Sequence, residues 1–537
     1  MINTGTKQDI ETQKGSGPLQ VDTPVMRNTA RNALLMVTST VIVAVLNYVL
    51  NIILGWTLPI EDYGRVGVSQ TLIFICVWFL AAGFPWVVAR AIAQVRDAGP
   101  LDGEEGAAAW RTYKTAWLAN TVLTFLVVGI LLAAYMLGWL PLNEAYAPLI
   151  AMVALTVIAL GSGAVPNAGL QGLFRFARIS VVRITEALTN IMVSVTLVLL
   201  GFGAPGALAG FAISAGLVAG LNTWFMRDKR FWLAKGWGGL GSVGDALPIT
   251  LAVFGGVLLT NIDLLAIKFL TGQPNSDALS GTYQVAAVLA RGPFYVGTAL
   301  VSTFYPRIAQ DKSESGSIAV GSGRELLHWL AVIVLPMNVI MIAGAPALVR
   351  FFFPEHYAPA AGSLAVLGLG SAFLIFAGAF SSILQAMHRT KGPAIIMSLA
   401  VAVQVTGLLW LVPAMGIRGA ALASTLASGL ACALLLTYVK RAQPGLEPPR
   451  LKWQVLALLL LGGLTLPLTL QFAEAGRVVV AGWVAIALAL YLSVCFFFNL
   501  LNAQSLFAPL MRFSFSARLA RPIFSLASSL NRLGRNL

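Results

Sequence analysis

The sequence predicts an all-α polytopic membrane protein: about fourteen transmembrane helices, forming two pseudo-symmetric six-helix lobes with two extra helices at the C-terminus. Three observations predict it. Of the 537 residues, 58% are hydrophobic and only 10% charged, with a mean hydropathy of +0.82, whereas a soluble domain carries about 25% charged residues. Apolar runs long enough to cross hydrocarbon, about 20 residues, recur from end to end. The chain also repeats itself at an offset near 214 residues.

The elements follow in order. Residues 1–31 are polar and lack the apolar core and small-residue cleavage site of a secretory signal, so they read as a flexible tail. Apolar spans follow at 34–58, 66–94, 114–138, 147–173, 181–201 and 205–226, and again at 246–270, 280–306, 325–353, 361–387, 393–413 and 417–439. Two more lie at 453–471 and 478–501. The domains are therefore an N-lobe at 32–230, a C-lobe at 240–442 and the helix pair at 452–501. The tail at 502–537 carries five arginines and no acid among Leu, Phe and Met, the pattern of a basic amphipathic segment at a membrane surface, interrupted by Pro509 and Pro522.

An even number of spans leaves both tails on one side. That side holds 29 of the 35 Lys and Arg residues; the other holds Arg65, Lys268, Arg350, Arg418 and Arg477, with Arg291 inside a span. The positive-inside rule makes the tails cytoplasmic. It also accounts for the net charge of +14, because the basic residues are spread between spans and not gathered into a nucleic-acid-binding domain. Cys76, Cys432 and Cys495 all fall in apolar runs, and His328, His356 and His388 are scattered, so neither a disulfide framework nor a metal centre is expected.

The repeat has three matches. "LQGLFR" (170–175) returns as "LQAMHR" (384–389), "GAPGALAGFAISAGL" (203–217) as "GIRGAALASTLASGL" (416–430), and "RAIAQ" ending at Gln94 as "PRIAQ" ending at Gln310. The period covers six spans, so the halves share an orientation and are parallel repeats about an axis along the membrane normal. Two such lobes leave a cleft between them.

The segment "RNALLMVTSTVIVAVLNYVLNIILGWTLPIEDYGRVG" (31–67) resembles the amino terminus of the polysaccharide biosynthesis proteins, the lipid-linked oligosaccharide flippases of O-antigen, capsule and exopolysaccharide. They belong to the multidrug, oligosaccharidyl-lipid and polysaccharide exporter superfamily. "GTYQVAAVLARGPFYVGTALVSTFYPRIAQ" (281–310) is similar to the family's eighth span, while Trp56 stands where members often have a basic residue. The resemblance implies a flippase, not an enzyme. It would carry an undecaprenyl-pyrophosphate-type lipid-linked oligosaccharide across the bacterial inner membrane by alternating access, needing no cofactor; directed transport needs energy, expected from the membrane potential or from Na⁺ or H⁺. Expected partners are that lipid, the surrounding membrane lipids and other polysaccharide assembly proteins. Alternatives are a cation-coupled multidrug antiporter or a peptidoglycan-precursor flippase. From another class comes a membrane polysaccharide polymerase or glycosyltransferase, for which the short outward loops, such as "GFGAPGA", leave no room.

Candidate site residues are the polar groups that apolar spans should exclude. An aspartate at mid-bilayer costs about 2.5–3.5 kcal/mol on insertion scales and marks ion pathways; Asp263, with Asn261 beside it, is the candidate for cation coupling, or else a polar contact between helices. Lys268 points away from it and reads as a snorkelling cation at the outer end. Arg291 lies deep in span 8. Either it pairs with Asp263 or Glu186, or its planar fork of donors awaits the substrate pyrophosphate. Arg90, Arg175, Arg178 and Arg183 stand at the tail-side edge of the first lobe, as membrane anchors or as a gathering surface for anionic headgroups. Asn47 and Asn51 share a helix face and, with Gln70, line the cleft for sugar hydroxyls or join helices.

Overall fold

The computed structural model describes residues 24–98, 104–227, 236–239, 243–272, 275–315, 320–443, 451–470, 476–501 and 524–532, and among these no strand occurs. The first lobe comprises α1 (Pro24–Thr57), α2 (Ile60–Ala82), α3 (Phe84–Ala98), α4 (Glu104–Met136), α5 (Ala147–Gly172), α6 (Phe176–Leu197) and α7 (Gly203–Met226). The second comprises α8 (Val243–Leu270), α9 (Ser276–Ser315), α10 (Val320–Trp329), α11 (Leu335–Ala343), α12 (Ala345–Phe352), α13 (Ala360–Ala386), α14 (Lys391–Met415) and α15 (Ile417–Ala442). The added pair is α16 (Leu451–Leu470) and α17 (Arg477–Phe497).

Twelve helical segments are long and apolar enough to span a membrane, and one of them, Phe176–Met226, contains both α6 and α7. Several expected boundaries shift. α1 starts at Pro24, so residues 24–31 are helical and not part of the tail. Span 2 breaks between α2 and α3 at Gly83, whose φ of −93° and ψ of −94° leave the helical region; Pro85 follows in the first turn of α3, where its missing N–H costs nothing. Span 9 is interrupted at Gly344, between α11 and α12. The expected surface helix at 502–537 lies largely outside the described residues; within it, 524–532 is helical and Asn531 donates to the carbonyls of Phe496 at 2.5 Å and Leu501 at 2.9 Å.

The duplication is visible in backbone detail. α5 and α13 end in the same cap, with Phe174 at φ 54° and His388 at φ 59°, 214 residues apart. In each, the N–H one residue later returns to the carbonyl five residues back along the chain: Arg175 to Leu170 at 3.0 Å, Arg389 to Leu384 at 2.9 Å. The glycines that turn α6 into α7 and α14 into α15 also match. Gly203 (φ 55°, ψ −141°) and Gly416 (φ 59°, ψ −133°) occupy a region that side chains exclude. The packing repeats as well: α7 lies on α5 and α6, and α6 on α1, just as α15 lies on α13 and α14, and α14 on α8.

The apolar interior shows where the lobes meet. At the end away from the chain termini one core runs through both lobes, joining Leu54, Tyr63 and Leu149 to Tyr283, Val349 and Leu364. At the tail end each lobe has a core of its own, around Trp110, Tyr113 and Leu170 in the first and Leu327, Phe380 and Leu435 in the second. The lobes are thus fused at the end away from the tails and separately packed at the tail end.

Candidate functional site

Among the described residues, two polar clusters built on α8 and α9 interrupt the apolar interior. The inner one surrounds Asp263, which is 4% exposed. Its Oδ2 accepts a hydrogen bond from the Tyr283 hydroxyl at 2.6 Å and from Ser424 at 3.2 Å, and its Oδ1 accepts the Leu264 N–H at 2.9 Å. Gln404 on α14 extends the chain, donating to Ser424 at 2.9 Å and to the Leu259 carbonyl at 3.2 Å. A buried carboxylate is tolerated only when its oxygens are bonded; three helices supply those donors here. Tyr283 and Ser424 are therefore the compensation that an aspartate in this run requires, and Asn261 is not.

Asn261 serves Arg291 instead. It donates to the Val257 carbonyl and the Thr260 hydroxyl, both at 2.8 Å, which aims its Oδ1 at the guanidinium. Arg291 Nη2 donates to that oxygen at 3.1 Å and to the Thr260 carbonyl at 3.2 Å. Among the described residues no carboxylate forms an ion pair with Arg291, so neither Asp263 nor Glu186 is its salt-bridge partner. The residue lies at the centre of the span Ser276–Tyr305. A cavity of 50 Å³ separates α8 and α9 from α13 and α15, lined by Asp263, Arg291, Ser371, Ser424 and Ser428. That is room for a few water molecules and for no sugar ring.

The outer cluster joins the lobes. Asp277 at the start of α9 receives Lys268 Nζ at 2.5 Å and the Tyr146 hydroxyl at 2.7 Å on one oxygen, and Arg65 Nε at 3.1 Å on the other. Lys268 also donates to Ser276 at 3.1 Å, and Arg65 to Asp62 at 2.9 Å. Lys268 does not snorkel: its side chain is fully buried, and Asp277 at the start of α9 comes within reach of it. The backbones of α2 and α9 touch beside this cluster. A Cβ at Gly64 would overlap the Asp277 carbonyl, and one at Gly281 the Ile60 carbonyl.

The other sequence candidates divide. Gln70 is 4% exposed and faces Gln284 on the lobe boundary at 3.5 Å, so in this state it lines a seam and not an open cleft. Asn51 donates to the Asn47 carbonyl of its own helix at 2.9 Å, which holds the pair on one face of α1. Arg90 stacks on Trp86 one turn earlier, 5.4 Å from the ring centroid. Arg178 is committed to the end of α7, donating to the Phe225 carbonyl at 3.3 Å and covering the Phe225 ring. Arg175 and Arg183 stand on either side of it around the start of α6. All four belong to the first lobe, whereas Arg291 and Asp263 belong to the second. Tyr283, Ser424, Gln404, Arg65 and Asp277 escaped sequence reasoning: apart from Tyr283, which stands in the quoted stretch 281–310, only the rule that buried charges need partners pointed to them.

The fold and the two clusters define the class: a two-lobed, multi-pass membrane protein with the fold of solute and lipid transporters. The polysaccharide biosynthesis protein family matches residues 53–362, and the chain belongs to that family. Among solved structures it is similar to one titled "Lipid II flippase MurJ, inward closed conformation", at 14% identity over 89% of this chain and 100% of that one, with a TM-score of 0.63. It is similar to an inward-facing multidrug resistance MATE family transporter of the MOP superfamily, at 15% identity over 77% and 98%, with a TM-score of 0.58. A MOP superfamily transporter from Pyrococcus furiosus matches at 16% identity over 78% and 96%, with a TM-score of 0.54. No curated protein sequence matches the chain.

Proposed function

We propose that the protein is a flippase that moves a lipid-linked oligosaccharide with a pyrophosphate headgroup across the bacterial inner membrane, its basic end and both termini in the cytoplasm. The observation that carries this reading is Arg291: a permanent cation at the centre of a span, held by two neutral oxygens, with no acidic partner among the described residues. A guanidinium at that depth is costly, and a planar anion such as a pyrophosphate supplies the bidentate partner it lacks. The family supports a role in polysaccharide synthesis.

The shared outer core and the separate tail-end cores correspond to a state sealed outside. In the proposed cycle the headgroup enters from the tail side and meets Arg291, the lobes rock, and the Asp277 cluster separates to release the glycan outward. Asp263, two residues on from Asn261, takes up the coupling H⁺ or Na⁺. Both residues line one cavity with Arg291 on its wall: Asp263 and Arg291 share it, so neutralising the carboxylate removes a negative charge near Arg291 that would repel an incoming anion. The test is flipping of a fluorescent lipid pyrophosphate-linked oligosaccharide by the purified protein in liposomes. Native protein should protect the label from an external quencher at a rate that Arg291→Ala abolishes at equal protein level. Equal rates for the two proteins would refute the assignment.

A further inference from the structure

A lateral groove of 610 Å³ lies on the outside of the first lobe. On α4, Thr115, Leu118, Ala119, Val122 and Leu126 recur at helical spacing along its floor, and Phe84 forms a wall. From Thr115 to Leu126 the floor runs about 16 Å along the helix axis. α4 packs chiefly on α3 and α5 of its own lobe, so the groove opens to the bilayer and away from the lobe boundary and Arg291.

The tail-side end of the groove is closed by part of the segment that links the lobes. The Gly238 N–H donates to the Thr115 hydroxyl at 2.9 Å, and the Trp237 ring lies over the Lys114 ammonium at 4.9 Å. Gly238 sits so close to Thr112 that any Cβ would overlap its backbone, and the stem of Arg111 passes beside Gly236. Trp237 thus lines an apolar groove with no acid in its lining, and behind it lie the Lys114 ammonium and the stem of Arg111.

Tryptophan favours the headgroup level of a bilayer, and basic pockets at the ends of transmembrane helices hold anionic lipid headgroups. A tryptophan anchor alone explains Trp237 but not the paired cations or the channel below them. We infer that this groove binds one anionic glycerophospholipid, its phosphate held by Lys114 and Arg111 beneath Trp237 and an acyl chain lying along α4. The bound lipid fastens the inter-lobe linker to the first lobe, independently of what the protein transports.

Native mass spectrometry of the full-length protein, purified with equimolar phosphatidylglycerol and phosphatidylcholine, tests this. Native protein should retain one phosphatidylglycerol in preference to phosphatidylcholine. The double variant R111Q/K114Q should retain at least fivefold less, whereas Lys391→Gln, an exposed cation at the start of α14 in the other lobe, should retain as much as native. Equal retention of the two lipids by native protein, or undiminished phosphatidylglycerol in the double variant, would overturn the inference. Should the double variant fail to fold, Val122→Trp decides: the position is 61% exposed to the bilayer side, and filling the groove there must expel the lipid for the site to stand.

Discussion

Gln70 and Gln284 hold equivalent places in the two repeats, 214 residues apart, and their side-chain amides face each other across the lobe boundary at 3.5 Å. The pair therefore marks the pseudo-twofold axis. It is also poorly bonded: Gln70 Nε2, Gln284 Oε1 and the hydroxyls of Ser69 and Ser280 are buried without partners. Each such group costs roughly 1–3 kcal/mol, so the seam is sealed by packing and by the Asp277 cluster but is not deeply stable. That balance suits a boundary that opens and closes in the proposed cycle.

Removing the unbonded amides should deepen the sealed state. Q70L/Q284L is expected to raise the Tm of the purified protein by several degrees and to slow flipping several-fold. A lower Tm with unchanged transport would show that the amides are bonded in the working protein.

Asp277→Asn should do the opposite. It leaves Lys268 and Arg65 without their shared carboxylate, and breaking a buried ion pair from one side costs roughly 3–5 kcal/mol. In a background lacking Cys76, Cys432 and Cys495, a cysteine at Gln284 should be labelled by a membrane-impermeant maleimide at least tenfold faster in the variant. Unchanged labelling would place the outer seal elsewhere.

For Arg291, lysine is the informative substitution. It keeps the charge but loses the planar fork, so Arg291→Lys should retain a small fraction of native flipping, roughly 1–10%, and Arg291→Ala none. Full activity with lysine would reduce the role to a point charge.

Asp263→Asn keeps the shape of the side chain and removes its titration. Flipping by native protein should respond to an imposed pH or Na⁺ gradient and flipping by the variant to neither. Tyr283→Phe, which deletes one of the three hydrogen bonds donated to the carboxylate, should keep the response at a reduced flipping rate. A gradient response that survives in Asp263→Asn would assign coupling to another group.

Much of this protein is legible in one dimension. Hydrocarbon demands helices of a set length, so apolar runs locate them, but α1, α4 and α9 continue nine or ten residues past their apolar runs at the tail side, and the breaks at Gly83 and Gly344 are ones that composition cannot tell from glycine in a continuing helix. The repeat was legible because duplicated backbone turns need duplicated residues, as Gly203 and Gly416 show. Asp263 and Arg291 stood out because charge is expensive in oil. Their partners did not: Ser424 lies 161 residues from Asp263, and serine in a membrane helix is unremarkable until its hydroxyl is seen to point at a carboxylate.

The sequence by itself determined the helices, the two lobes and the charges that need compensation, since each follows from transferring a local segment out of water. Only the tertiary structure decided which charges compensate one another. It paired Lys268 with Asp277 in a bridge that also takes Arg65 from the other lobe, gave Asp263 to Tyr283, and left Arg291 on neutral oxygens. Hydrogen bonds act over about 3 Å, and which groups come that close depends on how distant helices pack, a property that no window along the chain contains.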